Sequence, residues 1–177
     1  MEQKKLLMIV NPMAGRSKSR GPLFDAAAIF SQAGYLLSIH NTTSPDDAVK
    51  TAAAEGENYD TVVAVGGDGT LNQVVSGLMQ LETRPLLGYL PQGSTNDFAA
   101  SLHIPSEPAE AAEQIAQSQP SHLDIGSWNG RHFVYVASFG AFARSSYAAP
   151  QAAKNALGHF AYILEGMKDL NSLRPYK

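Results

Sequence analysis

"TVVAVGGDGTLNQVVSGL" (residues 61–78) holds an apolar run, a glycine-rich turn and a helical pattern in immediate succession. The β-branched run at 61–65 is typical of a buried strand. The glycines within 66–69 let the backbone turn sharply and approach a ligand closely. Thr70 and Gln73 have the spacing of a capping box, which predicts that a helix begins at Thr70. A strand that leads through glycines to a helix N-terminus predicts a phosphate site, because backbone N–H groups and the helix dipole attract anions.

The chain on both sides of this stretch repeats the alternation of strand and helix. Buried-strand patterns occur at 5–10, 35–40 and 85–91, and helical patterns at 21–34, 44–56, 96–102 and 107–117. In the second of these helices we expect Ser44 to be the N-cap and Pro45 to occupy the first helical position. Alternating strands and helices form βαβ units, so the sequence predicts a Rossmann-like α/β fold, a mostly parallel sheet with helices on both faces.

The pattern changes after residue 120. "HLDIGSWNGRHFVYVASFG" (122–140) predicts two strands joined at Asn129-Gly130, because Asn-Gly between apolar runs is a strong hairpin signal. Residues 154–170 then form an apolar stripe at helical spacing. We therefore predict an α/β domain at 1–122 and, at 123–177, the incomplete start of a β-rich second domain.

Composition excludes several classes of protein. The 177 residues include 13 basic and 16 acidic side chains, and a net charge of −3 argues against nucleic acid as a partner. The sequence contains no cysteine, which excludes disulfides, zinc–thiolate sites and thiol nucleophiles.

The N-terminal region bears on the cellular location of the protein. Its apolar run is only five residues long before Asn11-Pro12, too short for a signal peptide or a membrane span, so we expect a cytoplasmic protein. The basic segment "GRSKSRG" (15–21) offers peripheral contact with an anionic membrane, although a solvated loop is the favoured interpretation because three charges add little affinity.

Ligands of parallel sheets bind at the carboxyl ends of the strands. Here those ends carry four loops rich in glycine, hydroxyl and amide groups, at 11–15, 41–43, 66–70 and 91–97. Such residues offer backbone N–H groups and short donors to phosphate oxygens. The glycine spacing matches neither the Rossmann fingerprint nor the P-loop.

Asp68 lies in the middle of the predicted phosphate site. A carboxylate beside phosphates is repulsive unless a cation lies between them, and Mg²⁺ is bound by one or two carboxylates together with substrate phosphates. Asp97 ends another loop on the same edge, and Asp124 begins the hairpin, so these three carboxylates are candidates to converge. The alternatives are a helix N-cap for Asp97 and a surface strand position for Asp124.

Two motifs together resemble a known family. "GGDGTLNQVVSGL" (66–78) and "LPQGSTNDFAASL" (90–102) are similar to segments of the bacterial diacylglycerol kinases and related lipid kinases. "VNPMAG" (10–15) and "LDIGSWNGRHFVYVASFG" (123–140) fit the same family. NAD kinases and phosphofructokinases carry a similar GGDG loop on a related fold, but the Asn-Asp-Phe loop favours the lipid kinases.

The resemblance implies that the chain binds ATP and Mg²⁺. It implies nucleotide contacts from Asn11, Pro12, Gly15, Thr42, Gly66, Gly67, Asp68, Gly69, Thr70, Asn72, Gly93, Ser94 and Asn96. Ser94 stands where the family usually has threonine, and it keeps the hydroxyl. Asp68 and Asp97 are the implied catalytic residues, and with Asp124 they are the implied acidic network around the metal.

The implied reaction transfers the γ-phosphoryl group of ATP to a lipid hydroxyl, that of diacylglycerol by default. Two alternatives stay open, an NAD kinase-like enzyme and a non-catalytic nucleotide sensor. Apolar segments at 133–143 and 159–167 favour an acyl-chain acceptor over NAD.

The family implies a further expectation about the C-terminal part. Its general base and a structural metal site are expected beyond Lys177, so we expect this chain to bind nucleotide without lipid kinase activity. Apolar side chains in the incomplete second domain invite self-association, so a homo-oligomer is expected. The candidate contacts are Phe133, Tyr135, Phe139, Phe142 and Phe160.

Overall fold

Strand and helix alternate from residue 5 to residue 101, and a further helix follows, as the sequence predicts. The computed structural model describes residues 3–14 and 21–137. The elements are β1 (Lys5–Val10), α1 (Gly21–Gln32), β2 (Leu36–Asn41), α2 (Asp47–Glu55), β3 (Thr61–Gly66), α3 (Asp68–Leu78), β4 (Leu86–Pro91), α4 (Asp97–Ser101), α5 (Pro108–Gln117), β5 (Gly126–Trp128) and β6 (Arg131–Phe133). A short 3₁₀ turn, Gly56–Asn58, follows α2.

The first four strands form one parallel sheet in the order β2-β1-β3-β4. Because β3 pairs with β1 and not with β2, the chain reverses its direction of progress across the sheet between β1 and β3. In open α/β sheets this reversal opens a crevice at the carboxyl ends of the strands, where ligands bind. The predicted α/β fold is confirmed.

Helices cover both faces of the sheet. On one face, α1 and α5 pack over Leu6, Met8 and Val63 with Phe30 fully buried between the layers. On the other face α2 and α3 pack over alternate residues of the same strands, such as Leu7. Strands β1 and β3 are buried on both faces, which explains why they are continuous apolar runs and not alternating ones.

Two predicted helix starts are wrong. The helix expected from Ser44 begins at Asp47, because the chain first makes a turn in which the N–H of Asp47 bonds to the Ser44 carbonyl at 3.2 Å. The helix expected from Thr70 begins at Asp68, with Gly67 as its N-cap and no side-chain capping bond. Thr70 lies inside the first turn and is buried, so its hydroxyl is used in a tertiary contact and not as a cap.

The predicted hairpin is confirmed. β5 and β6 pair antiparallel, and Asn129 and Gly130 have φ of 50° and 74°, which is the left-handed conformation that a two-residue hairpin turn requires. β6 packs against α3, and the flanking Ile125 and Val134 contact the core on the α2–α3 face. The domain division between 122 and 123 stays a prediction, and the helix predicted at 154–170 lies outside the described residues.

Candidate functional site

The four loops expected at one edge of the sheet do begin there, in register with the strands. Each loop that follows β1, β2 or β4 starts with a backbone bond to the neighbouring strand. These bonds run from the N–H of Asn11 to Val65 O at 2.9 Å, of Thr42 to Val10 O at 2.8 Å, and of Gln92 to Gly66 O at 2.7 Å. The ends of all four strands are thereby fixed relative to one another.

The loops after β3 and β4 touch at their glycines. A Cβ atom on Gly93 would lie 2.5 Å from the Cα of Gly67 and 2.6 Å from Oδ1 of Asn96. A Cβ on Gly67 would in turn lie 3.1 Å from the Cα of Gly93. A Cβ on Gly93 would force the two backbones apart, whereas one on Gly67 would need a shift of a few tenths of an ångström. Glycine at 93 is therefore required for the backbones to meet this closely.

Asp68 ties these two loops together. Its Oδ2 accepts the N–H of Asp97 at 3.1 Å, and its Oδ1 accepts the N–H of Phe98 at 3.2 Å. The hydroxyl of Thr95 lies 3.5 Å from Oδ2. Although Asp68 begins α3, its carboxylate therefore satisfies the first N–H groups of α4, which have no partner within that helix. This contact accounts for a negative charge inside the glycine-rich turn without requiring a metal ion.

Asn96 shapes the loop that follows β4. Its φ of 53° places it in the left-handed region. Its side chain accepts the N–H of Gly93 at 2.7 Å and donates to the Gly93 carbonyl at 3.0 Å. The hydroxyl of Tyr89 donates to the same Oδ1 at 3.3 Å. The amide thus closes a turn over residues 93–96.

The loop after β1 is tied to the start of α3. Asn11 donates from Nδ2 to the Thr70 hydroxyl at 3.1 Å and accepts the N–H of Met13 at 3.0 Å. The neighbouring Gly66 has no space for a Cβ, which would lie 2.5 Å from Thr70 Oγ1. Gly15, also predicted in this loop, lies outside the described residues.

The loop after β2 is held by α2. Oδ2 of Asp47 accepts the N–H of Thr43 at 2.7 Å and its hydroxyl at 3.0 Å, while Oδ1 lies 3.2 Å from Nε2 of His40. Thr51 completes the cluster, with its hydroxyl 3.3 Å from Oδ1 and 3.1 Å from the imidazole. The Thr43 N–H chiefly lowers the pKa of Asp47; partial desolvation opposes this, and the Thr43 hydroxyl and His40 add to the lowering.

Tyr89 is the buried titratable group of the site. It is 4% exposed, and its ring packs edge-on against Phe98 with centroids 6.2 Å apart. Burial raises the pKa of Tyr89, and the charge of the nearby Asp68 raises it further. The phenol therefore stays protonated and acts as a hydrogen-bond donor over the whole physiological range.

The three candidate metal carboxylates are not gathered into one cluster. Within residues 3–14 and 21–137, no three His, Cys, Asp or Glu side chains come close enough to hold a metal ion. The reason is that Asp68 is directed to the N–H groups of α4, whereas Asp97 and Asp124 are solvent-exposed. The expected convergence is therefore not seen, and a metal role for each carboxylate stays a prediction.

The remaining predicted contacts line the same edge with different exposure. Pro12, Gly69 and Ser94 are exposed, whereas Thr42 and Asn72 are half-buried. Sequence reasoning missed the roles of Asp47 and Tyr89. An acidic residue near a helix start is expected on charge alone, so the sequence gives no sign that Asp47 bonds to Thr43, and nothing in the apolar pattern of β4 distinguishes Tyr89 from a core residue.

Comparison with known proteins matches this chain to diacylglycerol kinases. Residues 5–128 match the family described as "Diacylglycerol kinase catalytic domain". The diacylglycerol kinase of Bacillus subtilis (strain 168) is 42% identical over 174 residues, which are 97% of this chain and 57% of that protein. That of Staphylococcus aureus (strain bovine RF122 / ET3-1) is 38% identical over 173 residues, or 97% of this chain and 55% of that protein.

Solved structures of diacylglycerol kinases also match this chain. A crystal structure of a diacylglycerol kinase from Bacillus anthracis str. Sterne superposes with a TM-score of 0.69 at 34% identity, covering 75% of this chain and 46% of the other. The chain thus spans little more than half the length of the curated relatives it matches. Among the described residues, no helix is both long enough and apolar enough to cross a bilayer.

Proposed function

The chain belongs to the family of diacylglycerol kinase catalytic domains, and on that basis we propose that it forms the nucleotide site of an ATP- and Mg²⁺-dependent lipid kinase. In the proposed reaction, a hydroxyl oxygen of diacylglycerol attacks the γ-phosphorus of ATP. The bond between that phosphorus and the β–γ bridging oxygen breaks, and the products are phosphatidic acid, ADP and the proton of the hydroxyl. Catalysis of this kind depends mostly on positioning and on neutralising phosphate charge.

The observation that supports the proposal most is the junction of the β3 and β4 loops. Gly67 and Gly93 meet with no room for a side chain at 93, and Asp68 bonds across to α4. Two backbone turns that approach so closely can present N–H groups to one chain of phosphates from two sides. A glycine-rich turn serving only the fold of β3 and α3 does not need a second turn fastened to it.

The carboxylates fit a magnesium ion accompanied by nucleotide. A carboxylate has about four lone-pair sites, and each oxygen of Asp68 uses one for a well-formed N–H bond, so acceptor capacity remains for the ion or for water on it. Mg²⁺ takes only one or two carboxylates and completes its shell with phosphates and water. We propose Asp68 and Asp97 nearest the metal and Asp124 in its outer network. When bound, the ion supplies charge neutralisation at the transferring phosphate.

Thr42, Asn72 and Ser94 complete the proposed nucleotide contacts. Their amide and hydroxyl groups suit a ribose or phosphate oxygen, and all three lie along the carboxyl edge or on the first turns of the helix beside it. Diacylglycerol is the proposed acceptor because the relatives at 42% and 38% identity are named for it.

Two assays test the proposal separately. Calorimetric titration with ATP, with Mg²⁺ and then with chelator, tests the nucleotide site alone. Incubation with γ-labelled ATP and vesicles of diacylglycerol, sphingoid base, ceramide or isoprenoid alcohol, with NAD in a parallel sample, tests the acceptor. We expect this chain to show saturable ATP binding that Mg²⁺ strengthens. Label that migrates as phosphatidic acid is expected from a protein that carries the whole second domain, and not from these 177 residues alone. Absence of ATP binding, or label transferred to NAD, would contradict the proposal.

A further inference from the structure

We propose that Tyr89 is a positioning residue whose buried hydroxyl holds Asn96, and through Asn96 the turn 93–96, in the shape that receives nucleotide. The inference rests on the proposed function, since it concerns the same site. It assigns a role to a strand residue outside the two motifs that identify the family.

The hydroxyl of Tyr89 is placed where it needs a partner. The residue is 4% exposed, its ring lies in the core with Phe98, and its hydroxyl points to the turn and not to solvent. A buried hydroxyl without a hydrogen bond is costly, and a phenylalanine would fill the same volume without that cost. The bond to Asn96 Oδ1 at 3.3 Å is the contact that makes a tyrosine useful at this position.

The orientation of the Asn96 amide follows from its other bonds. The Gly93 carbonyl can only accept, so Nδ2 must face it at 3.0 Å, and Oδ1 must then face the N–H of Gly93 at 2.7 Å. This leaves Oδ1 as the shared acceptor for Gly93 and Tyr89. Tyr89 is thus the anchor of the amide in the protein core, whereas the other two bonds lie within the turn itself.

Asn96 needs such an anchor because its backbone is in the left-handed region, with φ of 53°. Asparagine adopts this conformation more readily than most residues through local bonds of its side chain, but the conformation still costs free energy that surrounding contacts must offset. Without the Tyr89 bond, the Asn96 amide keeps only its two bonds to Gly93, and the turn is held from outside only by the Thr95 contact with Asp68, so it can leave the shape that receives nucleotide. Nucleotide binding then has to restore that shape, and the apparent affinity falls by the fraction of molecules that lack it.

The test uses Tyr89→Phe, which removes only the hydroxyl, and Tyr35→Phe as the matched control. Tyr35 is half-buried and, like Tyr89, packs edge-on against a phenylalanine, Phe30, but it lies at the opposite end of the sheet. Calorimetry measures ATP affinity with Mg²⁺, and hydrogen exchange measured by NMR reports the protection of the Gly93 amide without nucleotide. We expect Tyr89→Phe to bind ATP about three- to ten-fold more weakly, as for the loss of one neutral hydrogen bond. The Gly93 amide should exchange faster by a similar factor, and Tyr35→Phe should change neither.

The outcomes separate the two proposals. If the unaltered chain binds no ATP, the proposed function fails, and the exchange of Gly93 still decides whether Tyr89 holds the turn. If the chain binds ATP and Tyr89→Phe stays within two-fold of it, or if Gly93 exchange is unchanged, the positioning role is wrong. A fall in melting temperature with unchanged ATP affinity would likewise reduce Tyr89 to a purely structural residue and overturn the inference.

A double-mutant cycle tests whether Tyr89 acts through Asn96. Asn96→Gly removes the amide while tolerating the left-handed backbone. If Tyr89 acts through Asn96, Tyr89→Phe should lower the melting temperature of the unaltered chain but not that of the Asn96→Gly variant. Equal losses in both backgrounds would show that the hydroxyl acts through another group.

Discussion

At the carboxyl ends of the strands, the β3 and β4 loops are held differently from the β2 loop, although each side depends on an aspartate that accepts backbone N–H groups. Asp68 bonds to residues 29 and 30 positions further along the chain and so joins the β3 loop to the β4 loop. Asp47 bonds to partners only four to seven positions away and closes the β2 loop on its own helix. A change on the β3–β4 side should therefore spread through the nucleotide site, whereas a change on the β2 side should stay local.

The largest effect is expected for Gly93→Ala. Its Cβ would lie 2.5 Å from the Gly67 Cα, and backbone cannot move aside cheaply. The two loops must separate, so we expect ATP affinity to fall more than ten-fold and the free energy of unfolding to fall by about 1–3 kcal/mol. Calorimetry and denaturant unfolding measure the two effects.

Gly69→Ala is the matched control for stability. A Cβ there meets nothing within 4 Å, and the position lies in the first turn of α3. Helix propensity favours alanine over glycine by up to about 1 kcal/mol, so no loss of stability is expected. If Gly93→Ala and Gly69→Ala are equally stable, the contact between the β3 and β4 loops contributes nothing to stability. The difference drawn between the β3–β4 side and the β2 side would then be wrong.

Asp68→Asn should have the next largest effect. An amide keeps one acceptor oxygen but turns an NH₂ group toward a backbone N–H, so one bond to α4 is lost and the other is weakened. We expect a loss of about 1–2 kcal/mol in unfolding free energy, measured with chelator so that no metal contributes.

The same variant separates the two roles proposed for Asp68. If the carboxylate also serves the metal, ATP affinity should fall more with Mg²⁺ present than with chelator. Equal falls in both conditions would leave Asp68 with its structural role alone. Unchanged stability in chelator would instead contradict the contact with α4.

Asp47→Asn should have the smallest effect on nucleotide binding, with ATP affinity within a few-fold of the unaltered chain. Its effect on stability should depend on pH. The pKa of Asp47 is below its ordinary value of 3.8 in the folded chain, mainly because the Thr43 N–H favours the charged form. A lowered folded pKa stabilises the fold at neutral pH, and that contribution is lost as pH falls through the folded pKa.

Melting temperatures between pH 7 and pH 3 check this dependence. Asp47→Asn should melt below the unaltered chain at pH 7, and the gap should narrow as the pH falls below about 4. Asp46→Asn is the control, because Asp46 is exposed at the N-cap of α2 and makes no side-chain capping bond. A constant gap over the whole pH range would exclude the charge of Asp47 as its source.

What the sequence could predict follows the same division between local and distant contacts. The strands, the parallel sheet and the Asn129-Gly130 turn are signalled by residues close together in the chain, and these predictions are confirmed. The motifs also lie in loops at the carboxyl ends of the strands, where the structure brings the β3 and β4 loops into contact. Each of these predictions depends on a pattern that lies within one segment of the chain.

The errors arise where a side chain has a distant or competing partner. Thr70 fits a capping box by spacing, but Asn11, 59 positions away, uses its hydroxyl. Ser44 fits an N-cap, but the Asp47 carboxylate holds the loop instead. For Asp68 the sequence predicts metal and nucleotide contacts, but no pattern in the sequence shows that α4 begins beside its carboxylate. Partners of this kind are fixed only by the packed fold.

The central claim is that the β3 and β4 loops form one nucleotide site. The most direct measurement is an NMR titration of the backbone amides with ATP and Mg²⁺. Saturable shifts should appear together at Gly67, Gly69, Gly93 and Asn96, with one common dissociation constant and smaller changes at Thr43 and Asp47. Shifts confined to one of the two loops, two different dissociation constants, or no saturable shift at either loop would contradict a shared site.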